Sequence, residues 1–109
     1  MTDREILYMI LINHPIEEGK RATWINPVVL VDTYQISEEM ANKVAEEYNS
    51  EALLNQIKIT HPIEEGKRAT WINPGVLVDT FQISNEMAYV VAMKYNHEAQ
   101  LSQQKGVSR

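Results

Sequence analysis

The apolar positions of this chain follow two periods, and the elements they predict come round twice. Residues 6–12 (ILYMILI) are an almost unbroken apolar run rich in β-branched residues, which predicts a strand buried on both faces. Residues 57–60 (IKIT) alternate and predict a shorter, half-exposed strand. Residues 28–36 (VVLVDTYQI) place Val28, Leu30, Asp32, Tyr34 and Ile36 on one face and Val29, Val31, Thr33 and Gln35 on the other, the best strand pattern in the chain. Beyond Ser37, a candidate helix N-cap followed by Glu38 and Glu39, the period lengthens. Met40, Ala41, Val44, Ala45 and Tyr48 then form a helical stripe, which Asn49 could close in the left-handed region. Residues 50–56 and 97–105 favour helix again, and 107–109 are expected to fray.

Turn chemistry separates these segments. Pro15 can end a strand, and Gly19 suits the left-handed position of a short reversal. Residues 21–25 (RATWI) would be the return strand, and Asn26-Pro27 a second break.

The whole succession is duplicated. Residues 13–49 reappear 47 positions later as residues 60–96, with eight differences in 37 aligned positions. A repeat of this length marks a duplicated supersecondary unit at the lower limit for folding alone, so the two units are expected to share one core. The expected fold class is therefore α+β: a tandem, pseudo-twofold βββα–βββα repeat, a mainly antiparallel sheet with both helices packed on one face. One domain, residues 1–109, would comprise two repeats at about 5–51 and 52–98 with a short frayed C-terminal tail.

The differences are unevenly placed. Residues 14–27 and 61–74 are identical, whereas five of the eight substitutions fall in the predicted helix. Four of those five occupy one face by helical spacing. Asn42, Lys43, Glu46 and Glu47 in the first copy become Tyr89, Val90, Met93 and Lys94 in the second, while the opposite stripe (Met87, Ala88, Val91, Ala92, Tyr95) is unchanged. Two arrangements would account for a helix apolar most of the way round. Either it is buried on both sides, or Tyr89, Val90 and Met93 form a docking surface.

Composition narrows the function classes. The chain has no cysteine, so it holds no disulfide or thiolate chemistry, and a reducing, cytoplasmic setting is expected. It shows no apolar run long enough for a membrane span and no basic-flanked leader before residues 6–12. A net charge of −5 makes nucleic acid an unfavourable partner. No Gly-rich phosphate loop, nucleophile elbow or paired-histidine metal helix is present, so no catalytic residue and no cofactor are assigned.

Candidate chemistry is confined to the identical stretch. Each turn gathers one imidazole, carboxylates and a basic pair: His14, Glu17, Lys20 and Arg21 in the first copy, His61, Glu64, Lys67 and Arg68 in the second. One histidine per copy falls short of a metal set. Asp32 and Asp79 end apolar segments and would pair with Arg21 and Arg68, while Trp24 and Trp71 would pack on the sheet. The expected function is thus a non-catalytic protein–protein interaction or assembly module, self-associating or binding another protein through Tyr89, Val90 and Met93, with the paired turns as a second surface. A strand at 28–36 running into a capped helix resembles the element order of ribbon-helix-helix repressors, which implies the alternative of a nucleic-acid-binding regulator built as a fused pseudo-dimer. A second alternative is a small-ligand-binding domain or minor enzyme using His14, His61, Asp32 and Asp79.

Overall fold

The computed structural model describes residues 2–20, 24–64 and 71–107, with side chains as far as Ser102. Its elements are five helices: α1 (Asp3–Asn13), α2 (Pro27–Tyr34), α3 (Glu38–Thr60), α4 (Pro74–Phe81) and α5 (Asn85–Val107). The described residues contain no strand, which overturns the α+β, βββα–βββα expectation. Each expected strand that falls on described residues is a helix or an irregular segment, and each helix has an identifiable local cause.

The run at 6–12 is helical because Thr2 caps it. The Thr2 hydroxyl accepts from the Glu5 N–H at 3.2 Å and donates to the Glu5 carboxylate at 3.2 Å, tying the cap to the first turn. Ile6 and Ile10, one turn apart, are then both buried. Residues 28–36 are helical as far as Tyr34 because Asn26-Pro27 is a start signal and not a break. Asn26 Oδ1 accepts from the Val28 N–H at 3.0 Å, and Pro27 sits at the first helical position, where its missing N–H costs nothing. Asn73 and Pro74 begin α4 in the same way. Both short helices end on a glutamine in the left-handed region, Gln35 at φ 52° and Gln82 at φ 55°. Ser37 and Ser84 then cap the long helices, each accepting from an N–H three residues on at 3.1 Å. Gly19 does take positive φ, at 80°.

Asn49 does not close a helix, since α3 runs unbroken through it to Thr60. The expected strand at 57–60 is the last turn of α3, and most of the proposed return strand, residues 21–23, lies outside the described residues. The repeat boundary accordingly falls inside a helix. Ile6 and Ile10 of α1 correspond, 47 residues on, to Leu53 and Ile57 of α3, and all four are buried. The same register reaches α5: Glu51, Ala52, Leu54, Gln56 and Lys58 recur as Glu98, Ala99, Leu101, Gln103 and Lys105. Each repeat is thus a first helix, a loop, a short helix and a long helix, and the long helix continues into the first helix of the next repeat. In the α5 extension, Gln100 and Gln104 replace Leu53 and Ile57, so this segment cannot build the same core.

The backbone divides into two compact units, residues 1–56 and 57–109. The first is centred on Ile6, Ile10, Leu30, Ala41, Val44, Ala45, Tyr48 and Ala52, where α1, α2 and α3 meet. Small residues at 41, 45 and 52 let the helices approach, and Tyr48 fills the remaining volume. In the second unit, Leu77 of α4 and the stripe Met87, Ala88, Val91, Ala92, Tyr95 and Ala99 of α5 are buried. The helical stripe expected from sequence is therefore the buried face of both long helices.

Candidate functional site

The four-residue patch lies on the side of each long helix opposite its buried stripe. In α3 all four positions, Asn42, Lys43, Glu46 and Glu47, are exposed and polar. Lys43 reaches Asp3 at the start of α1, with 3.0 Å between Nζ and Oδ2. Their hydrogen bond holds the Asp3 carboxyl below the usual carboxylate range and raises the Lys43 ammonium above its own. Both groups are solvated, so this pair is a weak surface tie.

In α5 the same positions are exposed without being polar. Tyr89 is 58% accessible, Val90 42% and Met93 53%, with Leu101 at 45% two turns further on. Burial on both sides, the other arrangement open to this helix, is not what the structure has. One face of α5 is core and the other presents apolar side chains to solvent.

The paired turns are built by the long helices. In the first unit the Tyr48 hydroxyl donates to the His14 carbonyl at 2.7 Å, and Asn49 pairs with the Ile25 backbone. One turn and a half further on, the Asn55 amide donates to the carbonyls of Glu17 and Lys20 at 2.9 and 2.7 Å. In the second unit Tyr95 reaches the His61 carbonyl at 2.6 Å and Asn96 pairs with Ile72. The backbone of the turn is what α3 and α5 grip, and the functional-looking side chains point elsewhere. Glu17 and Lys20 pair with one another at 2.9 Å in solvent. The imidazole of His61 meets the Thr60 hydroxyl at 2.9 Å. His14 and Glu64 are exposed, while Arg21, Lys67 and Arg68 lie outside the described residues. Among the described residues, no three histidine, aspartate or glutamate side chains are grouped to hold a metal ion. Asp32 and Asp79 sit on the solvent sides of α2 and α4, not at strand ends, and the arginines named as their partners are not described.

Sequence reasoning missed one feature. In the second unit, the end of α3, residues 71–73 and α4 border a half-open cavity of about 450 Å³. Its walls are Ile57, Trp71, Ile72, Val76, Leu77 and Phe81, with Thr60, His61, Asn73 and Thr80 also lining it. The signal lay in the exposed apolar side chains around it. Trp71 is 62% and Val76 58% accessible, which a sheet-packing tryptophan would not be. A second, more open cleft lies between α1 and α3 and is lined by both charges of the Asp3–Lys43 pair together with Arg4 and Glu47.

No described helix is long and apolar enough to cross a membrane. Comparison of the chain with protein-family models, with curated proteins and with solved structures finds no match.

Proposed function

We propose that this chain is a non-catalytic interaction module that docks a protein surface through the exposed face of α5. The observation that carries this reading is the contrast between copies. The same helix face is Asn, Lys, Glu, Glu in α3 and Tyr89, Val90, Met93, Lys94 in α5, and it is solvent-exposed in both. Leaving Tyr89, Val90 and Met93 in water has no folding benefit, because the opposite stripe already supplies the core. Tyrosine and methionine are also the residue types that interface centres favour, and a rigid helix presents them at low entropic cost.

A second copy of the chain is the first partner to test. One helix face is smaller than the roughly 800 Å² per partner of a stable complex, so the expected association is weak and concentration-dependent. The test is solution mass across concentration for the wild type and for Tyr89→Asn/Met93→Glu, which installs the first copy's own residues. Retained folding with lost association is the expected result. Gross unfolding of the double variant would show the face to be structural and end this reading.

The regulator alternative loses its basis, because residues 28–34, expected to form the recognition strand, belong to the helix α2. The reading that employs His14, His61, Asp32 and Asp79 gains no support either, as no described ligand set or oriented acid–base pair involves them.

A further inference from the structure

The eight differences between the copies fall in two places. Five lie on the long helix, at the pairs Glu38/Asn85, Asn42/Tyr89, Lys43/Val90, Glu46/Met93 and Glu47/Lys94. The other three, Asn13/Thr60, Val28/Gly75 and Tyr34/Phe81, converge on the cavity of the second unit. Thr60 and Phe81 line it, and Gly75 lies between Asn73 and Val76, which also line it. We propose that this cavity is a binding site for a small uncharged aromatic molecule, made less polar in the second repeat by the substitutions at 60 and 81.

Two of the changes, Tyr34 to Phe81 and Val28 to Gly75, remove bulk, and two, Tyr34 to Phe81 and Asn13 to Thr60, reduce polarity. Tyr34 to Phe81 deletes a hydroxyl from the wall. Asn13 to Thr60 exchanges a carboxamide for a side chain of similar volume whose hydroxyl is already engaged, donating to the Ile57 carbonyl at 3.1 Å and meeting His61 Nδ1 at 2.9 Å. Val28 to Gly75 deletes a side chain. A Cβ at position 75 would stand 3.3 Å from Asn73 Oδ1, so the glycine leaves that lining residue its room. Every other lining residue is the same in both copies: Ile57, His61, Trp71, Ile72, Asn73, Val76, Leu77 and Thr80 repeat Ile10, His14, Trp24, Ile25, Asn26, Val29, Leu30 and Thr33. The copies thus differ in the lining only at positions 60 and 81, and both changes make it less polar.

The chemistry of the walls selects the ligand. Among the described residues no carboxylate, ammonium or guanidinium lines the cavity, and its walls are mainly apolar, which suits an uncharged ligand. Trp71 and Phe81 offer ring faces and edges, Val76 and Leu77 apolar contact, and the hydroxyl of Thr80 one polar group at the site. A volume of about 450 Å³ lies within the range of small-molecule sites, roughly 300 to 1,000 Å³.

The test uses N-phenylnaphthylamine, a neutral aromatic dye that brightens in apolar surroundings, and indole as a competing ligand followed by amide chemical shifts. Wild type should bind both saturably, with the shifts confined to residues 57–61 and 71–81. The variant Thr60→Asn/Gly75→Val/Phe81→Tyr restores the first copy's residues, which that repeat already tolerates, and should stay folded while binding about tenfold or more weakly. Val76→Lys, a change at an exposed position, should weaken binding similarly, and Val29→Lys in the first unit should leave it unchanged. Absence of saturable binding in the wild type would overturn the proposal, and so would affinity that survives both Val76→Lys and the triple variant. The α5 double variant should bind the dye normally, which separates the failure of this site from the failure of the docking face.

Discussion

The side-chain amide of Asn49 satisfies the whole backbone of Ile25. Its Oδ1 accepts from the Ile25 N–H at 2.8 Å, and its Nδ2 donates to the Ile25 carbonyl at 3.0 Å. Asn96 does the same for Ile72, at 2.8 and 3.1 Å. A mid-helix asparagine is unfavourable on propensity alone, and these paired bonds are its compensation. Asn49→Ala should lower unfolding free energy by about 1–3 kcal/mol, because it orphans a partly buried donor and acceptor together. Asn96→Ala should cost a similar amount. Chemical denaturation checks both, and unchanged midpoints would show the pairing to be incidental.

The buried tyrosines predict an alkaline limit. Burial raises the phenols of Tyr48 and Tyr95 above the ordinary tyrosine range. A raised folded-state value means the folded protein holds these protons more tightly than the unfolded chain. Their contribution is therefore complete below the ordinary tyrosine pKa of about 10 and is lost as pH rises through the folded values. Ionisation would also remove the donors to the His14 and His61 carbonyls. Tyr48→Phe and Tyr95→Phe should each cost about 1 kcal/mol at neutral pH. The double variant should lose stability less steeply than wild type between about pH 9 and about pH 11, measured by denaturant titration at each pH.

Gln35 and Gln82 hold the turns between the short and long helices with left-handed backbones. Gln35→Val should cost about 1–2 kcal/mol, since a β-branched side chain fits that region poorly. Gln35→Gly should be neutral or stabilising by less than about 1 kcal/mol, strain relief being offset by unfolded-state entropy. Thermal melts of the pair decide it, and equal melting temperatures would refute the strain argument.

On α5 the two faces should respond oppositely. Tyr89→Asn/Met93→Glu should shift stability by no more than about 0.5 kcal/mol per site, as exposed substitutions do. Met87→Ala, on the buried face of α5, should cost about 2–5 kcal/mol by the same denaturation measurement.

Part of this was legible in the sequence. The helical stripe was readable because Met40, Ala41, Val44, Ala45 and Tyr48 repeat at a period only a helix satisfies. Gly19 and Ser37 were readable because their local chemistry is nearly unique to their roles. The strands were misread for two reasons. A short continuous apolar run such as 6–12 has no period of its own, and the deciding Thr2 cap on Glu5 lies just outside it. At 28–36 the two-faced strand pattern was outweighed by the Asn26 cap on the Val28 N–H and by Pro27 at the first helical position. Asn49 was misassigned because its partner, Ile25, is 24 residues away. The cavity was out of reach for a similar reason: its walls come from three segments that no local pattern joins.

The hold of α3 on its loop also bears on the order of folding. Helices assemble from neighbours in sequence, on roughly the microsecond scale. The bonds that fix the loop span much longer separations: 24 residues from Asn49 to Ile25, 34 from Tyr48 to His14, 38 from Asn55 to Glu17. Contacts this distant form only after the helices have come together, so the loop closes last and reopens first. The described loop residues that the long helix holds are thus expected to open before it does, and the amide of Ile25, which donates to Asn49, should report that opening in hydrogen exchange.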